Sequence, residues 1–406
     1  MTEGVEECTV SSRRAFILGS LGALALGPAL ARPVLKRTYA FADGTGGTLS
    51  HPFEFWRRSQ IFLTGSFNGH SVEMLLDSGA EHSIVDSSLA AEVGLSVDGA
   101  LNVEGLSGTA AGHGMSFRNA VIDLDGLVLT TNWIAILDLS PFAGPMGRPV
   151  RMILGRDLFD QLMVDLDFDH EQITFHDPRR VPSPSDMRGL RISRSDSLPN
   201  IPLRVDGSRH ILAGFDLGSD DALSLSADFV SGHRSLRRRQ TATAQFLGVE
   251  GWSTTRMLTV GDVNLAGETF QDFPADVPHS WIRRRPNEPQ ANLGIELIRQ
   301  FRVTTDFTRG RLWLRRRSVT EPFWRDQTGF MAASRGDHRE VVMVVPGGPA
   351  ERAGLKLGDR IIAIDGRPTG SDSTSPEPVT NVPEGTPVRL TLEGGAERVI
   401  VQVFYY

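Results

Sequence analysis

From Ile61 onward the apolar residues come in short runs, I-F-L, M-L-L, V-I-D-L, L-V-L, W-I-A-I-L, M-I-L-G and M-V-D-L-D-F. Turn-forming stretches such as Phe67-Asn68-Gly69 and Leu124-Asp125-Gly126 separate them. Short runs closed off by Gly, Asn and Asp predict strands, because the chain reverses before a helix has room to form. Only short helices are expected here, over Ser87 to Val93 and Asp157 to Gln161. A second block of the same texture runs from Ile201 to Arg316. Its ends, I-P-L-R-V-D-G and T-T-D-F-T-R-G-R-L-W-L, parallel Ile61 to Gly69 and V-D-L-D-F-D-H-E-Q-I-T-F of the first. Beyond Arg317 the texture changes to a strand ending at Pro346 and a short helix from Pro349 to Ala353, with proline at an early helical position. Gly354 suits the cap of that helix, and Gly358-Asp359 turns the chain into a strand over Arg360 to Ile364. The chain reads as mainly β: a linker over 32–55, a lobe over 56–180, an interlobe linker over 181–197 rich in Pro, Ser and Arg, a second lobe over 198–318, and a small α/β domain over 319–406.

At 406 residues the chain exceeds what one core serves, in keeping with several domains. Its net charge of −7, from 49 acidic and 42 basic residues, offers no basic excess for nucleic acid. The N-terminus places Arg13-Arg14 before Phe16, then an Ala-, Leu- and Gly-rich run to Leu30 that ends in Ala29-Leu30-Ala31. Residues 1–31 therefore read as a signal peptide, resembling the twin-arginine type, and predict export to a bacterial periplasm with no stable membrane span after cleavage. Cys8 is the single cysteine and lies in this leader, so disulfides, a cysteine nucleophile and cysteine-based metal sites are not expected in the mature chain.

The two β blocks share more than texture. M-L-L-D-S-G-A-E-H-S-I, from Met74, returns 139 positions later as A-G-F-D-L-G-S-D-D-A-L, from Ala213, and I-L-G-R-D-L-F returns at the same offset as N-L-G-I-E-L-I. Asp77 maps to Asp216, Gly79 to Gly218 and Gly155 to Gly294, which predicts an internal duplication with one carboxylate per copy at the same place. Two carboxylates meeting on a pseudo-twofold axis suit hydrolysis of a peptide bond, one acting as base on a water and the other protonating the carbonyl oxygen. At about 3 Å and an effective dielectric near 20, two negative charges repel by roughly 5 kcal/mol, so the pair keeps one proton between them. Gly79 and Gly218 would open the backbone N–H groups to these carboxylates.

With D-S-G-A at Asp77 to Ala80 and I-L-G-R-D-L at Ile153 to Leu158, the chain resembles retropepsin-type aspartic peptidases. The resemblance implies two retropepsin-like β-barrel lobes, Asp77 and Asp216 at the bottom of a cleft, and Gly155 and Gly294 packed behind the Asp loops. It also implies a flap per lobe, with Gly105 to Gly114 and Gly248 to Thr255 as the candidates, and an ion pair between Glu81 and Arg156 that the second copy lacks. Two copies in one chain should form an intramolecular pseudodimer that works as a monomer. One departure stands out: the family wants Thr or Ser after each aspartate, where a hydroxyl joins a lattice across the two loops. Ser78 keeps that half, whereas Leu217 cannot. In the last domain P-A-E-R-A-G-L-K-L-G-D-R-I-I-A-I-D-G, Pro349 to Gly366, resembles a PDZ module, which implies binding of polypeptide C-termini, with Thr328, Gly329, Phe330 and Met331 as the carboxylate loop.

Other constellations are weaker. Ser78 as a serine nucleophile would need a His and Asp triad for which the short preceding stretch leaves no room. Glu81-His82 and Asp169-His170-Glu171 lack the i, i+4 histidine spacing of a helical zinc site. Neither a metal nor an organic cofactor is expected. Two functions stay open: an aspartic endopeptidase acting on polypeptides, or an inactive, peptidase-derived protein that binds peptides through its PDZ module.

Overall fold

The computed structural model describes residues 16–18, 24–25, 36–104, 109–194, 198–248, 251–279, 281, 288–319, 321–369 and 382–406. Strands take up 48% of the chain and helices 10%, so the mainly β class holds.

Each β block builds the same central motif. In the first, Gln60–Phe67 pairs antiparallel with His70–Leu76, and Met152–Leu154 runs parallel to His70–Leu76 and antiparallel to Ile84–Asp86. In the second, Pro199–Val205 pairs with Ile211–Phe215, and Ala291–Leu293 runs parallel to Ile211–Phe215 and antiparallel to Leu223–Leu225. Even the register agrees, with Ile153 opposite Leu75 and Asn292 opposite Gly214. These inner strands are buried on both faces, so neither alternates: the first reads as an apolar triplet, Met-Ile-Leu, and the second as Ala-Asn-Leu with the buried Asn292 at its centre.

A six-stranded sheet joins the lobes. Its order is Arg188–Arg191, Arg311–Arg316, Phe301–Asp306, Met163–Asp167, Gln172–His176 and Thr48–Pro52. Val164 pairs with Thr305 and Leu166 with Val303, a register that returns to itself when the two halves are exchanged. One apolar cluster spans both lobes, and the rings of Phe159 and Phe307 stack across them at 5.6 Å.

The segments read as linkers are corrected by this sheet and its neighbours. Within 32–55 the chain forms Arg37–Phe41, Thr48–Pro52 and the start of Glu54–Trp56, and within 181–197 it forms Arg188–Arg191 and Ser193–Arg194. Their partners lie far along the chain, as when Thr48–Pro52 pairs with Gln172–His176, so composition nearby carries no sign of them. Helices at Ser140–Met146 and Ala227–Gly232 were likewise absent from the sequence reading.

Each lobe carries a hairpin, Gly99–Glu104 with Thr109–Ser116 and Thr241–Gly248 with Gly251–Leu265. The tips of the two flap candidates, 105–108 and 249–250, lie outside the described residues, as does most of the segment 1–31. Its described parts add short strands to these hairpins: Phe16–Leu18 beside Thr241–Gly248, and Leu24–Ala25 beside Gly99–Glu104. Among the described residues no helix is long and apolar enough to cross a membrane.

The C-terminal domain has its own sheet and the helix Pro349–Arg352 around a core that includes Val341, Ile361, Leu390 and Ile400. It docks on the second lobe, where Tyr405 and Tyr406 pack with Ala242 and Met257 and Arg325 donates to Thr259 Oγ1 at 2.6 Å.

Candidate functional site

Asp77 and Asp216 each follow directly on an inner strand, and each backbone N–H is spent on the neighbouring short strand. Asp77 N donates to Leu154 O at 2.9 Å, and Asp216 N to Leu293 O at 3.0 Å. The chain then turns back, so that the next amides point at the carboxylate just passed. Gly79 N and Ala80 N donate to Asp77 Oδ1 at 2.7 and 3.1 Å, and Gly218 N and Ser219 N to Asp216 Oδ1 at 3.0 and 3.2 Å. The two carboxyl groups are buried and lie close enough for each to act on the other's protonation.

Glycine is required at both turns by the opposite carboxyl. A Cβ on Gly79 would stand 2.6 Å from Asp216 Cγ, and one on Gly218 would stand 2.5 Å from Asp77 Oδ2. Gly155 and Gly294 lie close against the backbone that follows each aspartate: a Cβ there would meet Ser83 N at 2.8 Å and the Asp221 carbonyl carbon at 3.0 Å. Burial, followed by the charge of Asp216, pushes Asp77 well above the ordinary carboxyl range. Burial also raises Asp216, opposed first by a hydrogen bond from Asn292. A pair so placed retains a proton where exposed aspartates have lost theirs.

Ser78 bridges the loops. Its Oγ donates to Phe215 O at 3.1 Å and accepts from Leu217 N at 3.0 Å. Leu217 is fully buried in the shared core and returns no such bond. Arg156 and Glu81 stand 3.9 Å apart, and Arg156 also lies 3.7 Å from Asp160.

Three features were missed from sequence. Asn292 replaces Ile153 of the first copy, and its Nδ2 donates to Asp216 Oδ2 at 2.9 Å. The departure from I-L-G to N-L-G was the available signal. Next, Asp221 and Asp276 form a second carboxyl pair behind the Asp216 loop, Asp276 buried and Asp221 partly so. Ser219 Oγ donates to Asp221 Oδ1 at 2.9 Å and Thr255 Oγ1 to Asp276 Oδ2 at 3.3 Å. Burial raises both, and Asp276, with Asp221 against it, lies well above the ordinary range. Finally, His82, which occupies the place of Asp221 in the first copy, is held neutral: burial, Arg37 and Arg156 lower its pKa to about 3. No group among the described residues gathers three or more metal-ligating side chains.

The four residues assigned to the carboxylate loop of the last domain are buried. Thr328 N and Gly329 N donate to the Asp326 carboxylate at 2.8 and 3.1 Å, and Tyr405 Oη holds the same carboxylate. Phe330 and Met331 continue into the strand Phe330–Arg335. Residues 370–381, beyond the last described strand pairing of Ile364 and Arg367, lie outside the described residues.

Residues 63–158 match the family model described as aspartyl protease, and residues 340–393 the one described as PDZ domain. The chain thus contains a retropepsin-like aspartyl protease domain and a C-terminal PDZ domain. No curated protein matches. Among solved structures it is similar to Basic 7S globulin from soybean, at 11% identity over 66% of this chain and 94% of that one, with a TM-score of 0.40.

Proposed function

We propose that the protein is an exported, single-chain aspartic endopeptidase, a product of internal duplication, whose Asp77 and Asp216 activate a water against a peptide bond. The observation that carries this reading is the mutual approach of the two buried carboxyl groups, each cradled by two amides of its own loop and facing the glycine of the other. One carboxylate takes a proton from the water as the other, protonated, gives one to the carbonyl oxygen, and the pair is reset when the tetrahedral intermediate collapses. The hairpins Gly99–Glu104 with Thr109–Ser116 and Thr241–Gly248 with Gly251–Leu265 serve as flaps over the substrate. The PDZ domain delivers polypeptide C-termini to this cleft, and Asp326 must give up the amides of Thr328 and Gly329 for a peptide carboxylate to take them. Export to a bacterial periplasm rests on Arg13-Arg14 and the apolar run that follows.

The experiment is to incubate the protein with an unfolded polypeptide from acidic to neutral pH, beside Asp77→Asn and Asp216→Asn. Cleavage by the wild type alone is the expected result. An inert wild type at every pH, or cleavage that survives either substitution, refutes the reading.

A further inference from the structure

The position two before the loop-packing glycine is Ile153 in the first lobe and Asn292 in the second, in the same register against the aspartate-bearing strand. Asn292 is fully buried, and its Oδ1 has no hydrogen-bond partner. A buried amide with an orphaned carbonyl oxygen destabilises the fold relative to the isoleucine its sister position uses. What it obtains in return is the single bond from Nδ2 to Asp216 Oδ2. Among the described residues no side-chain amide does the same for Asp77, which accepts from Gly79 N and Ala80 N.

Resting on the peptidase reading, we infer that Asn292 is a positioning residue that breaks the symmetry of the dyad. It holds Asp216 as the ionised carboxylate that accepts the proton of water, and leaves Asp77 as the protonated acid. The chemistry follows from donors and acceptors. An ionised carboxylate only accepts, and the amide of Asn292 offers it an N–H that complements the two backbone N–H groups on Oδ1. Asp216 therefore has donors on both oxygens, whereas Asp77 has them on Oδ1 and leaves Oδ2 for a proton. The charges facing Asp216 are Asp77 from the opposite loop and Asp221 from its own, with Asp276 behind Asp221. Burial and the charge of Asp221 disfavour ionisation of Asp216, and the amide of Asn292 is foremost among the groups that oppose them.

The test compares wild type with Asn292→Leu, close in volume but without a donor, and with Asn292→Ala. In both, the acid limb of the kcat/KM profile against an unfolded polypeptide is expected to move up by about one pH unit, because the ionised form of Asp216 has lost a donor. The peak of kcat is expected to fall roughly tenfold with KM little changed, as for an interaction that stabilises the reacting charge. A loss of activity with the acid limb unmoved would mean that Asn292 acts through packing alone and would overturn the inference. Carboxyl carbon NMR of aspartate-labelled protein, assigned with Asp77→Asn and Asp216→Asn, reads the same assignment without turnover. Asp216 should titrate below Asp77 in the wild type, and the gap should shrink in Asn292→Leu. Equal titration of the two in the wild type overturns the inference even if the protein cleaves, and a protein that never cleaves but shows this ordered titration refutes the peptidase reading alone.

Discussion

The Asp77 and Asp216 loops share a backbone and differ in nearly everything laid upon it. Both turn so that two amides reach one carboxylate oxygen, and both need glycine where the other carboxyl arrives. Around the first loop stand Ser78, Ile153 and a neutral His82, while Leu217, Asn292 and Asp221 occupy the corresponding places around the second. The backbone constraint is imposed by the partner loop and so tolerates no drift in either copy. The side-chain roles are shared out: the first loop supplies the hydroxyl that ties the two together, and the second supplies core packing and a polar surround for its own aspartate.

The largest effect should come from the constraint both loops obey. Gly79→Ala or Gly218→Ala forces a methyl into the opposite carboxyl, so the dyad has to separate. Activity is expected to fall by at least about 100-fold in each, since misplacing reacting groups by an ångström is enough for such a loss. Both should fold, as judged by a cooperative melt. If only one of the two is crippled, the mutual approach described here is not what makes both glycines necessary.

Where the loops differ, stability should differ too. Leu217→Ala empties a fully buried site of the shared core and is expected to cost about 2–5 kcal/mol in denaturant unfolding. Ser78→Ala removes one bridging hydroxyl and leaves Leu217 N without its acceptor, for which about 1–3 kcal/mol is expected. Measured denaturation midpoints at unchanged slope decide between them. A larger cost for Ser78→Ala would show that the single hydroxyl matters more to the fold than the leucine that stands opposite it.

What was legible in the sequence follows the same division. The offset of 139 positions carried the strands, the aspartates and the glycines, because both lobes meet the same backbone geometry and the residues that permit it are few. The aspartyl protease and PDZ domains were legible from D-S-G-A, I-L-G-R and the Pro349 to Gly366 stretch for the same reason. The strands within 32–55 and 181–197 were not, since edge strands take their pairing from partners such as Gln172–His176 and Arg311–Arg316 that composition nearby does not announce. Nor was the pair of Asp221 and Asp276: the two are 55 positions apart in the chain, and only the parallel pairing of Ser224 with Asp276 brings them together. In the first lobe the matching pairing sets Val85 beside Ile136, so comparison of the copies offered no second carboxylate to look for.

That pair and His82 respond to pH in opposite senses, with the smallest expected effect. Burial raises Asp221 and Asp276 above the value of about 4 that an unfolded aspartate has, so their contribution is fully present below that pH and is lost as pH rises through their folded values. His82 is lowered from 6.5 to about 3, so its contribution is present above 6.5 and is lost as pH falls toward 3. Asp276→Asn keeps a hydrogen-bond donor facing Asp221 at every pH and removes one buried acid. Its melting temperature should match the wild type near pH 4 and exceed it by a few degrees at pH 7.5, while the decline on the acid side, to which His82 and lowered carboxylates such as Asp177 contribute, stays as it was. Thermal melts of the two proteins across that range would reverse this reading if the variant were the less stable at neutral pH, because Asp276 would then be contributing to the fold as a charged group.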